Sequence, residues 1–300
     1  MLRREFGWLF RKVTRAGQKI PADAEVLIEN QIFRLALLIR DHNIINVFIV
    51  NSNQTQVIFS HGATSTWNKS GVKQVSAVSA EEKRSFTLNV GVSMSGEVLP
   101  FQAMFSGQTS RSLPSTSAPK YAEATENLHF QFLPTKTENH WSTQATMELY
   151  VHEILAPYFE KHRAKLGRPN QQCVWLIDVW SVHRSESFRE FMRTNYPWIT
   201  VLYVPGGCTG IFQPCDVGIQ WVLKHAMRRT TLAHIVKETE EELASGANPA
   251  SIVLSKGIGV LRDRCVEWMV NGYNTINNPR LVKKVCERPY QLYRNLTRNQ

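Results

Sequence analysis

Two carboxylates stand where a folded chain could aim them into one cleft. Asp216 sits in the run Phe212-Gln213-Pro214-Cys215-Asp216-Val217-Gly218-Ile219, just behind a Gly/Thr-rich turn at Gly206-Gly207-Cys208-Thr209-Gly210. It lies just ahead of a helical pattern that includes Lys224. Asp178 closes the apolar run Val174-Trp175-Leu176-Ile177, with Ser181, His183 and Ser185 after it. Acids at the ends of elements are common as helix caps and strand stops, so either alone is weak. Together they point to a cation site. The stretch between them has room for one helix and one strand, enough to return the chain to the same cleft.

A third position completes the pattern. The run Ile44 to Val50 is largely apolar and strand-like, and Asn51-Ser52-Asn53-Gln54-Thr55 follows at once. Three blocks occur in order: this Asn-rich segment, then Leu176-Ile177-Asp178 with His183, then Gln213-Pro214-Cys215-Asp216-Val217-Gly218. Lys83-Arg84 with the apolar stretch Phe86 to Val92, and Gly96-Glu97-Val98-Leu99-Pro100, lie between the first two. In this the chain resembles the pogo-type branch of the DDE superfamily, the transposase endonucleases and the host proteins derived from them.

The resemblance implies three carboxylates holding two divalent cations, Mg²⁺ or Mn²⁺, which suit hard oxygen ligands and activate water or a DNA 3′-hydroxyl. It places Asp178 and Asp216 as metal ligands and Asn53 at the first carboxylate position, here degenerate. An Asn keeps one carbonyl oxygen and loses the charge and the second anionic oxygen. The nearest other acids, Asp41 and Glu81-Glu82, are not at the matching strand end. Lys83, Arg84, His183 and Lys224 are the candidate nucleic-acid contacts. Read without the resemblance, Asn51 to Thr55 is plain turn composition. His183 is then a structural histidine and Lys224 a solvated helix residue.

The elements that must position these residues alternate along the chain. Helical spacing runs from about Asp23 to His42 after Pro21, which suits a helix start. Strands are expected near 44–50, 56–60, 86–92 and 98–105, with a turn at Ser95-Gly96. Ser106 to Pro119 reads as loop, in the manner of a flexible insertion. A helix over 142–166, a strand at 174–177, a helix at 185–194, a strand at 200–204 and a helix from about Val217 complete the core. Early strands followed by alternating helices and strands predict an α/β fold: an RNase H-like, retroviral-integrase-like mixed sheet flanked by helices, with a helical C-terminal extension. The expected divisions are a basic helical lead-in at 1–45, a remnant of a DNA-binding region, then the core at 46–231 and the extension at 232–300.

Composition sets the outer limits. The chain has 300 residues, 43% of them hydrophobic, with a formal net charge of +10. It can therefore bury a large core, and it favours an anionic partner such as DNA. The first twenty residues carry Arg3, Arg4, Arg11, Lys12, Arg15 and Lys19 against Glu5 alone. Five cysteines without a CxxC pair speak against structural zinc and for a reducing compartment, the nucleus in a eukaryotic cell. No apolar run has membrane-spanning length, so no membrane partner is expected. A homodimer is compatible with the sequence. Three functions compete: DNA binding by a transposase-derived core whose catalysis is degenerate, an active metal-dependent DNA endonuclease or strand transferase, and a protein-interaction scaffold without DNA.

Overall fold

The computed structural model describes residues 8–12, 20–59, 65–69, 84–246 and 257–298. Among the described residues the first element is strand β1 (Trp8–Lys12), so this part of the lead-in expected as helical is extended. Helix α1 (Ala24–His42) follows and ends on Asn43, whose left-handed φ of 48° lets its N–H close back on the Ile39 carbonyl. Then come β2 (Ile49–Ile58), β3 (Ser65–Lys69), β4 (Ser85–Ser93), β5 (Gln102–Phe105) and β6 (Gln131–Pro134). Helices α2 (Gln144–Tyr150) and α3 (Ala156–Lys165) are joined by a π-helical turn at Val151–Leu155. Next are β7 (Cys173–Ile177), α4 (Ser181–Arg184), α5 (Glu186–Asn195), β8 (Ile199–Tyr203) and α6 (Thr209–Phe212). A second π-helical turn, Cys215–Ile219, leads into α7 (Gln220–Ala244), followed by α8 (Ile258–Ile276) and α9 (Pro279–Arg298).

Six strands form one mixed sheet in the order β6-β5-β4-β2-β7-β8, and β1 pairs with β3 in a separate antiparallel ribbon. In the large sheet β4 lies between β2 and β5 and runs antiparallel to both, while β7 runs parallel to β2 and β8 parallel to β7. Helices fill both sides, which is the RNase H-like arrangement expected from the order of elements. The physical reason is burial. Every position of β4 is buried, so both of its faces need cover.

Two hydrophobic cores supply that cover. One joins Phe48, Val50, Val174, Trp175 and Ile177 of the sheet region to Tyr150, Ile154, Phe159 and Phe188 of the central helices. The other joins Phe86, Leu88, Phe101 and Phe105 to Leu223 of α7, Trp268, Met269 and Tyr273 of α8, and Val282 and Val285 of α9. The C-terminal helices thus form one layer on the sheet, and α7 runs unbroken across position 231. Gly272 allows this contact, since a Cβ there would meet Leu223 Cδ1 at 2.6 Å.

Several local expectations change in three dimensions. Asn51 to Thr55 is not a turn but the middle of a ten-residue strand, because its backbone pairs with β4 on one side and, at Asn51, with β7 on the other. The run before it is a 3₁₀ turn at Asn46–Phe48, and the strand starts at Ile49. Of the stretch 98–105, Gln102–Phe105 is strand and Val98 makes a single bridge to Val92. Strand β6 had no signal strong enough to read; it is an edge strand ending in Pro134, which edges tolerate. The loop 106–119 is packed down: Ala118 is buried and the Ser115 N–H donates to Asp263 Oδ1 of α8 at 2.7 Å.

Candidate active site: an asparagine bound to a carboxylate

Strand pairing brings the first two blocks together. Asn51 of β2 lies opposite Leu176 of β7 in parallel register, so Asn53 and Asp178, each two residues further on, reach the same end of the sheet. Because side chains alternate along a strand, Asn51 and Asn53 share a face. Asn51 donates through Nδ2 to the Leu176 carbonyl at 2.9 Å, and its Oδ1 accepts the Cys215 N–H at 2.9 Å. One buried amide therefore ties all three blocks.

The third block docks through further bonds of this kind. Gln213 Nε2 donates to the Ser52 carbonyl at 3.0 Å, and the Cys215 thiol faces the Val90 carbonyl at 3.5 Å. Gly218 leaves room for α9, since a Cβ there would meet Val285 Cγ2 at 2.7 Å. Asp216 is then fixed against β2. Asn53 Nδ2 donates to Asp216 Oδ1 at 2.7 Å, while Asn53 Oδ1 accepts the Gln54 N–H at 2.8 Å. These two neighbours fix the amide's orientation, because the reverse would set oxygen against carboxylate and N–H₂ against N–H.

Burial pushes the Asp216 carboxyl above its ordinary pKa, the Asn53 hydrogen bond pulls it down, and the Asp178 charge pushes it up again. Lys224 and the Thr209 hydroxyl act in the same direction as Asn53. Asp216 is thus close enough to Asp178 and Lys224 to feel both charges. Burial also holds the Cys215 thiol well above its ordinary value, which keeps it protonated and unreactive at neutral pH.

Asp178 is held differently. His183, 3% exposed, places Nδ1 at 3.0 Å from Asp178 Oδ1 and 3.2 Å from the Asp178 carbonyl. Both are acceptors, so Nδ1 carries the proton. The ring stands edge-on to Trp180 and Trp175 and close to Phe188. Its Nε2 is buried with no protein partner, and its carbonyl accepts from Tyr203 OH at 2.7 Å. His183 is therefore inside the wall behind Asp178, with almost no surface open to solvent.

Of the sequence candidates, Asn53, Asp178, Asp216, His183 and Lys224 converge here. Arg84 does not: it precedes Ser85, which pairs with Ile58, whereas Asn53 pairs with Val90. Six strand residues place it about 20 Å away. Lys83 lies outside the described residues. Asn51, Gln213 and Thr209 were not singled out from the sequence. Asn51 carried one usable signal, its two-residue spacing from Asn53 on what proves to be a strand.

The donors do not fit a two-cation centre. Two carboxylates remain, the amide oxygen of Asn53 is turned to the backbone, and its N–H₂ occupies an oxygen of Asp216. Among the described residues no group of three or more His, Cys, Asp or Glu side chains could hold a metal ion. Among them, too, no helix is long and apolar enough to cross a membrane, and all five cysteines are free and buried.

Comparison with solved structures finds the Mos1 transposase paired-end complex with the left transposon end, at 12% identity and a TM-score of 0.49, covering 98% of this chain and 68% of that one. It also finds the Mos1 transposase catalytic domain with raltegravir and Mn, at 11% identity and a TM-score of 0.48, covering 93% and 97%. No curated protein matches the chain. The profile of the DDE superfamily endonuclease family matches residues 83–281, about two thirds of the sequence and inclusive of Asp178 and Asp216. The chain belongs to the DDE superfamily endonuclease family.

Proposed function

We propose that this protein is a transposase-derived DNA-binding protein whose DDE core cleaves DNA weakly, because an amide stands where the core's chemistry needs a third carboxylate. One observation carries the reading: Asn53 Nδ2 donates to Asp216 Oδ1 at 2.7 Å. The amide takes, with a single hydrogen bond, the oxygen that a divalent cation would otherwise claim. It supplies neither the charge nor the bridging geometry that in-line attack on a phosphodiester requires. DNA is the partner supported by the net charge of +10 and by Lys224 beside the carboxylates. Lys83 and Arg84 would contact the backbone of the same DNA away from the cleft. An active endonuclease is the second reading, favoured by the survival of Asp178 and Asp216 as neighbours.

Two measurements test this. Fluorescence anisotropy of a labelled duplex across a KCl series should show affinity falling with salt, by a log–log slope of about −0.9 for each phosphate neutralised. An absence of salt-dependent binding leaves only the scaffold reading. Nicking of supercoiled DNA in Mn²⁺ should then be near background for the wild type, appear in Asn53→Asp, and vanish when Asp178→Ala is added. Wild-type nicking equal to that of Asn53→Asp would move the active enzyme to first place.

A further inference from the structure

Helix α7 continues directly from the turn that carries Asp216, and its exposed face has a chemistry of its own. Residues four apart share a helix face, and Trp221, His225 and Arg229 form such a series. Trp221 is 72% exposed, an unusual place for the largest apolar side chain. Its ring lies parallel to that of His225, with centroids 5.7 Å apart and planes 8° from coplanar. The two rings form a preformed stacked pair. It borders a groove of about 480 Å³ between α7 and α8, lined also by Arg229, Thr230, Asn271 and Thr275.

Charge selects the occupant. From Gln220 to Lys237 the helix carries Lys224, Arg228, Arg229 and Lys237 and no acid. The one carboxylate of the groove, Glu267, is held by His234 at 2.6 Å. A flat π surface inside a cationic field matches a nucleobase on a phosphate backbone, and every base offers a face to stack. Along the axis Trp221 is five residues beyond Asp216, about 7 Å.

We propose that Trp221 and His225 stack an unpaired base of bound DNA, so that the protein prefers DNA with a single-stranded end next to the duplex. The inference rests on the DNA-binding reading and names the part of the DNA that this face recognises. The test is anisotropy binding of a blunt duplex and of the same duplex with a short single-stranded overhang, using wild type, Trp221→Ala and Trp221→Phe. Wild type should bind the overhang roughly tenfold more tightly than the blunt duplex. Trp221→Ala should erase that preference and leave blunt-duplex affinity unchanged, while Trp221→Phe keeps most of it. Because Trp221 is exposed, its removal leaves the core intact. A preference that survives Trp221→Ala, an equal loss on both DNAs, or no preference in the wild type overturns the stacking role while the DNA-binding reading stands. Binding to neither DNA overturns that reading, and this one with it.

Discussion

The two carboxylates of the cleft are held by opposite means. Asp178 has a side chain 33% exposed and leans on a buried histidine packed among aromatic rings. Asp216 is bound from the front, by the amide of Asn53, and burial holds its carboxyl above the ordinary range. The corner at Asp178 is supported from behind and keeps its face to solvent. The corner at Asp216 has its support on the carboxylate oxygen itself, from the strand β2. The difference teaches that a fold can hold two carboxylates near one another while giving each a different kind of neighbour.

The sharpest way to break the comparison is to make the corners alike. Asn53→Asp replaces the donor by a third acid, so Mn²⁺-dependent nicking is expected to rise on the order of 10²-fold or more. The same variant should melt lower than wild type without metal and regain stability with Mn²⁺, a response calorimetry can follow independently of cleavage. A melting point indifferent to Mn²⁺ would mean that the amide is not what keeps cations out.

The support behind Asp178 can be removed instead. His183→Ala empties a fully packed site and frees the carboxylate, at a cost of about 3 kcal/mol in urea unfolding. A change near zero would mean the ring does not brace that corner. Asn51→Ala tests what the corners share: it leaves the Leu176 carbonyl and the Cys215 N–H without this partner inside the fold. Loss of about 2 kcal/mol is expected. An unchanged midpoint would show that water replaces the amide.

The smallest effect concerns charge at Asp216. Its folded pKa lies above its unfolded value, so the folded state binds the proton more tightly and ionisation costs stability as pH rises through the ordinary carboxylate range. Asp216→Asn should therefore melt higher than wild type at neutral pH. The gain should disappear at acid pH, where the wild-type carboxyl is protonated in both states. A gain that persists at low pH would point to hydrogen bonding rather than charge.

Much of this was legible in one dimension. The apolar run 174–177 is a strand because it needs cover on both faces, and Ser185 begins α5 because its hydroxyl accepts the Phe188 N–H. Asp178 and Asp216 were recognisable by the elements they end or begin. Asn51 and Asn53 were harder, since the amide composition that favours a turn in isolation also serves a strand whose neighbours supply partners. Strand β6 is four residues long and exists because β5 offers it an edge. No local period could announce it.

The order of blocks, the net charge and the presence of an amide at Asn53 belong to the sequence alone, because they are properties of residue type and position. The direction of the Asn53 amide, the place of His183 behind Asp178 rather than on an exposed surface, and the separation of Arg84 from the cleft were decided only by the tertiary structure. The reason is the register of β2 against β7 and β4: strand pairing over long sequence separations sets which side chains meet, and it is fixed by burial across the whole sheet rather than by any one segment.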